Sequence, residues 1–267
     1  DRGHFDYLYD KVGLYDTLRA IVCSNESATA ITRCWQSLGG IEQRMLNFLE
    51  NHDEQRIASD FFAGNPWKAI PALVVSACMN TNPMMIYFGQ EFGEPGMDHE
   101  GFSGRDGRTT IFDYWSVGTI RRWRDGGKFD GRMLTDDEQR LHDVYQRVLT
   151  LCRQEEAIAH GLFFDLMYAN IGGWRFNEHR QYAFLRKHGN EVLLIVANFD
   201  SATADVAVNI PSHAFSYLQM PQVEHYQAVD LLTGAEETVC LLPYKATDIT
   251  VKGYSAKILK SDRKSVV

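Results

Sequence analysis

The 267-residue sequence has no long hydrophobic run, no basic stretch and no cysteine pairs. Its longest apolar runs, such as LLIVA at 193–197 and MMIYF at 84–88, are strand-sized. A membrane-spanning helix needs about 20 such residues. Lys and Arg number 27 against 35 Asp and Glu, mixed along the chain for a formal net charge of -8. That balance argues against nucleic acid and anionic membrane as partners. The five cysteines, Cys23, Cys34, Cys78, Cys152 and Cys240, are odd in number and widely scattered, with no C-x-x-C. This argues against a disulfide framework or a zinc ribbon, and the cysteines read as small core hydrophobes. Internal repeats and low-complexity tracts are also missing. What is abundant is apolar surface: 45% of the residues are hydrophobic and 12% aromatic, enough for one large core or two ordinary ones.

Residues 1–157 alternate short apolar runs with helical patterns. HFDYLY (4–9) reads as a strand, and Leu14, Leu18, Ile21 and Val22 then recur at helical spacing. A second helical stretch ends near LGG (38–40). RMLNFL (44–49) is apolar on both faces, as a strand inside a parallel sheet must be. Trp67, Ile70, Leu73, Val74 and Ala77 mark the next helix, and PMMIYF (83–88) reads as another doubly buried strand. TDDE (135–138) is a capping box, opening a helix with Leu141, Val144, Tyr145, Val148 and Leu151 on one face. This alternation is that of a parallel α/β sheet. From 158 to 267 the pattern changes. QYAFLRKHGNEVLLIVANF (181–199) is two strands around a Gly-Asn turn, and VAVNI, AVDLLTG, ITV and SAKILK continue a series of short strands without a helix-length pattern. The expectation is an antiparallel sandwich, with the junction near Ala157–Gly161.

In parallel α/β sheets chemistry gathers at the carboxyl ends of the strands, where the loops face one cleft. FLENHDEQR (48–56) puts Asn51, His52 and Asp53 at one such end, and Gly89, Gln90 and Glu91 sit at the next. An isolated N-H-D triple would be a helix cap with a loop histidine. Placement after a doubly buried strand, with a second polar strand end one helix later, favours an active site. A metal site is the weaker rival, because His52 and Asp53 are sequence neighbours and His99 is far away.

These residues carry a resemblance. FLENHD resembles the F-x-x-N-H-D signature that ends the seventh barrel strand in the α-amylase family of glycoside hydrolases. NPMMIYFGQEFG (82–93) is similar to that family's eighth-strand signature. The helix at 136–156 and the all-β tail resemble its last barrel helix and C-terminal sandwich. The resemblance implies a partial (β/α)8 TIM barrel, about strands 6–8, over residues 1–157, followed by an antiparallel sandwich over 158–267. It implies a retaining hydrolase of α-glucans such as starch and maltooligosaccharides. Asp53 would be the carboxylate that grips two adjacent sugar hydroxyls and supports the oxocarbenium-like transition state. His52 would donate to a hydroxyl of the same sugar, and Asn51 would orient its neighbours. Arg56 would pair with a nearby carboxylate, and Gln90 and Glu91 would form the eighth-strand rim, Glu91 in a structural role. No cofactor is evident, with calcium left open for a longer enzyme. Tyr9 and Trp115 are weaker candidates for sugar-stacking platforms, and GFSGRDG (101–107) reads as a flexible loop.

The family's G-x-R-x-D motif, which carries the nucleophile, does not occur in the sequence. A full barrel also takes about 250 residues, and about three strand–helix units precede the sandwich here. The expectation is therefore the C-terminal part of an enzyme, lacking nucleophile and general acid and inactive alone. The alternatives are a non-catalytic carbohydrate- or partner-binding relative, or a transferase or isomerase of the family. An open barrel face further predicts self-association, most simply as a homodimer, or a partly disordered N-terminal region.

Overall fold

The computed structural model describes residues 3–99, 104–112 and 117–261. Trp115 and the first three residues of the GFSGRDG loop lie outside that set.

The first strand, β1 (Leu8–Tyr9), ends at Asp10. Asp10 is buried, and its carboxylate accepts from the Leu14 amide at 2.8 Å, capping a π-helical turn (Lys11–Tyr15) that runs on into α1 (Asp16–Val22). After α2 (Ala30–Gln36) comes β2 (Met45–Phe48), and a 3₁₀ turn at Pro66–Ala69 leads into α3 (Ile70–Cys78). Then follow β3 (Met84–Met85), α4 (Gly118–Arg124), α5 (Asp136–Gln154) and α6 (Glu156–Ala159). The three strands form a parallel sheet in the order β1-β2-β3, with Tyr9 opposite Leu46 and Phe48 opposite Met85. Double burial is realised at β2, where Met45, Asn47 and Phe48 are buried. It is not realised at β3, whose residues are half-buried; β1, expected only as a strand, is exposed. The reason is position: β1 and β3 are the edges of a three-stranded sheet.

The α5 capping box forms as the sequence predicts. The Thr135 hydroxyl accepts from the Glu138 amide at 3.2 Å, and the Glu138 carboxylate accepts from the Thr135 amide at 2.8 Å.

The remaining strands are β4 (Leu162–Asp165), β5 (Gln181–His188), β6 (Glu191–Asn198), β7 (Ala204–Val208), β8 (Val223–Asp230), β9 (Glu236–Leu241), β10 (Thr247–Val251) and β11 (Ser255–Ser261). All their pairings are antiparallel, in a six-stranded sheet of order β4-β5-β6-β11-β8-β9 and a two-stranded β7–β10 ribbon. The predicted hairpin is β5–β6, closed by Gly189 and Asn190, with Gly189 in the left-handed region at φ 52°. One reading is corrected: this region is not free of helix, because α7 (Ser212–Leu218), between β7 and β8 in the chain, packs on β4 and buries Ala214, Phe215 and Leu218. Seven residues are too few for a clear helical period.

The helices and the antiparallel sheet share one core. α3 is buried at every residue, as a helix apolar all round must be, and it touches β2, α5, β6 and β11. Arg186 on β5 adds a polar tie. Buried among these elements, it donates to the carbonyls of Met79, Ala157 and Ile158, each at 2.9 Å. Desolvation lowers its pKa to about 10. At Gly161 the chain passes so close to the Ala157 carbonyl that a Cβ would sit 2.2 Å from it. The five cysteines are free, with Cys34, Cys78 and Cys240 buried.

Candidate active site

Three carboxylates follow β2, and the fold treats each differently. Glu50 is buried and pairs with the equally buried Arg56 at 2.7 Å, while its other oxygen accepts from the Ile57 amide at 2.7 Å. Desolvation is the largest influence on Glu50 and raises its pKa, against the opposing charge and hydrogen bonds of Arg56. Arg56 also donates to the Phe88 carbonyl at 2.8 Å and to the Thr109 hydroxyl at 2.6 Å, and its guanidinium lies 4.3 Å from the centre of the Tyr87 ring. One side chain therefore joins the end of β2, the segment after β3 and the 104–110 loop. Arg56 has the carboxylate partner expected of it, and no exposed atoms with which to meet a ligand.

Glu54 is held from the other side. Lys11 and Arg19 approach it at 3.2 Å each, and the Tyr15 hydroxyl donates to it at 3.2 Å. These three partners come from the turn and helix after β1. Sequence reasoning did not single out Glu50 and Glu54 by role, because their cations come from loops and helices that only the fold brings close.

Asp53 is the carboxylate left over. Its side chain is 68% exposed, with His52 Nε2 3.4 Å from its Oδ2, and its charge also acts on the Arg108 guanidinium. Asn51 sets the loop: its buried amide oxygen accepts from the backbone N–H groups of Asp53 and Glu54, both at 2.9 Å. This is an Asx-type turn, in which the Asp53 side chain stays exposed while that of Glu54 turns to Lys11 and Arg19.

Gln90 and Glu91 face elsewhere. Gly89, at φ 85°, reverses the chain after β3, and a Cβ there would also crowd Glu94 at 3.2 Å. The buried Gln90 accepts from the Tyr87 amide and donates to the Tyr145 hydroxyl of α5. Glu91 lines a cavity of about 560 Å³ with His142 and Tyr145, and burial raises its pKa. Gln90 therefore braces α5, while Glu91 faces α5 across the cavity with no hydrogen-bond partner for its Oε2. Tyr9 is half-exposed, packs edge-on to Phe48 at 5.4 Å, and reaches the Met85 sulfur at 3.7 Å. No group of three or more His, Cys, Asp or Glu among the described residues is placed to hold a metal ion.

A short parallel sheet with polar strand ends, followed by an antiparallel sheet over the same core, defines an α/β fold with an appended antiparallel β region. No family model and no curated protein matches the sequence. Solved structures do match it. The maltogenic α-amylase AmyB of Thermotoga neapolitana superposes with a TM-score of 0.65 over 97% of this chain and 51% of that chain, at 16% identity. AmyP, solved with maltose, gives 0.66 over 96% and 50%, at 18% identity. The cyclomaltodextrin glucanotransferase CldA gives 0.60 over 94% and 43%, at 16% identity. The protein thus has a fold found within α-amylase-type enzymes, and it spans about half the length of these chains.

Proposed function

We propose that the protein is the C-terminal part of an α-amylase-type glycoside hydrolase acting on α-glucans such as starch and maltooligosaccharides, with Asp53 as its transition-state-stabilising carboxylate. The observation that carries this reading is the exposure of Asp53 at the strand end. Glu50 and Glu54 are held in ion pairs, whereas Asp53 is 68% exposed, with His52 beside it and Arg108 within the reach of its charge. Its place in a fold shared with maltose-bound AmyP supports the choice of substrate class. In this reading β1, β2 and β3 are about strands 6–8 of the barrel, residues 1–157 are the barrel part, and residues 158–267 are the C-terminal sandwich.

The chemistry follows from retention. A carboxylate attacks the anomeric carbon as a second carboxyl group protonates the departing oxygen, and water then reverses the exchange. The motif of the nucleophile is not in this sequence, so that pair would come from further residues of the enzyme. Asp53 accepts hydrogen bonds from two neighbouring hydroxyls. Its charge counts most when positive charge spreads over the ring, so the contact is stronger in the transition state than in the ground state. His52 donates to a hydroxyl of the same sugar. Whether water or a second sugar is the acceptor separates hydrolase from transferase, and product analysis reads it directly.

In the longer enzyme, Asp53→Asn should lower kcat by about 10²–10³-fold or more, with KM changed little, and His52→Ala should cost less. A near-normal kcat for Asp53→Asn would remove Asp53 from the mechanism. The 267-residue chain alone should turn over neither maltoheptaose nor an aryl α-glucoside.

A further inference from the structure

At the opposite end of β2 from Asp53 a groove of about 610 Å³ opens between α2, the approach to β2, β4 and α7. One wall is aromatic. Tyr168 and Tyr217 are 57% and 50% exposed. The buried Phe164 ring backs them, 6.3 Å from Tyr168, 5.9 Å from Tyr217 and 5.5 Å from His213, centre to centre. Trp35 is fixed as well: its indole N–H donates at 2.8 Å to the buried Asp165, which also accepts from Thr32, Tyr182 and the Met167 amide. The polar lining includes Gln36, Gln43 and Asn80, whose amides both donate and accept.

This lining selects for a ligand with apolar faces, a rim of hydroxyls and no charge. Aromatic rings match the C–H face of a hexose, and amides match its hydroxyl edge. An anion would meet Glu42 and Asp165, and the guanidinium of Arg186 is already turned onto three carbonyls. A wholly apolar ligand would strip water from the amides without replacing their hydrogen bonds. We propose that this groove is a second oligosaccharide site, which takes a short α-glucan and holds it on the protein away from Asp53. The α-glucan assignment rests on the function proposed above; the location and the carbohydrate chemistry rest on the groove itself.

Titration of the 267-residue chain with maltoheptaose, by calorimetry and tryptophan fluorescence, tests the proposal. The Tyr168→Ala/Tyr217→Ala double variant should bind at least tenfold more weakly. Gln43→Ala, at an exposed position, should bind severalfold more weakly and serves as a second variant should the first lose its fold. Asp53→Asn reports any share of the titration that comes from sugar held at the strand end rather than in the groove. Binding that survives the groove variants but is lost in Asp53→Asn would overturn the second site and leave the proposed function standing. If the wild-type chain does not bind maltoheptaose, the second site also falls. The Asp53→Asn turnover in the longer enzyme then shows independently whether the proposed function falls with it.

Discussion

Arg56 is fully buried, yet its guanidinium serves Glu50, Thr109 and the Phe88 carbonyl at once. Taking two charges out of water costs several kcal/mol per ion, and good geometry with further hydrogen bonds offsets that cost only in part. The pair is therefore worth most when one partner is lost. Arg56→Met should destabilise the protein by about 3–5 kcal/mol, because it strands the Glu50 carboxylate in the interior. The double variant Glu50→Leu/Arg56→Met should recover much of the loss. Denaturant unfolding of Arg56→Met, Glu50→Leu and the double variant checks this. Additive single-variant losses, or a loss below about 1 kcal/mol for Arg56→Met, would mean that the pair does not hold the Asp53 loop in place.

At the scale of elements, α5 is the helix whose start is best defined. Burial alone would raise the Glu138 pKa. The hydrogen bonds from Arg122 and the Thr135 amide outweigh burial and hold it below the ordinary value. A carboxyl group whose folded pKa lies below its unfolded pKa stabilises the fold above the unfolded value and ceases to do so as pH falls through the folded one. The α5 start should therefore loosen below about pH 4. Glu138→Gln should cost about 1 kcal/mol at neutral pH and flatten this part of the acid limb. Thermal midpoints of both proteins between pH 7 and pH 3 decide the matter. Parallel curves would show that Glu138 does not contribute.

At the scale of the whole molecule, the flank along β1 is uncovered. Phe5, Tyr7, Leu8, Tyr9 and Val12 are exposed along and beside β1, with Val12 at 85%. β1 is an edge strand with free backbone groups on its outer side, so it combines an open hydrogen-bonding edge with contiguous apolar surface. The isolated chain should self-associate through this flank. Light scattering should report species larger than the monomer, and Leu8→Lys/Val12→Lys should shift them toward it. A wild-type chain that stays monomeric at high concentration, and behaves like the charge variant, would show that the flank is not adhesive.

Features whose cause is local could be read directly from the sequence. The α5 capping box needs only Thr135 and Glu138 three residues apart, and the β5–β6 hairpin needs only Gly189 and Asn190 between two apolar runs. The strand-end position of Asn51–His52–Asp53 follows from the apolar run before it. The short elements β4, β9 and α7 were not legible, since a few residues carry too little periodicity. Nor were the roles of the three carboxylates. Glu50, Asp53 and Glu54 look alike in the text, and the cations that separate them reach Glu54 from Lys11 and Arg19 across more than 30 residues. Arg186 shows the same limit: it sits in an ordinary hairpin strand, and only α6 packed on that strand and the Met79 carbonyl at the end of α3 make it a buried tie. Sequence pattern records which neighbours along the chain agree with one another. Burial and charge pairing depend on neighbours in space, which the assembled core alone supplies.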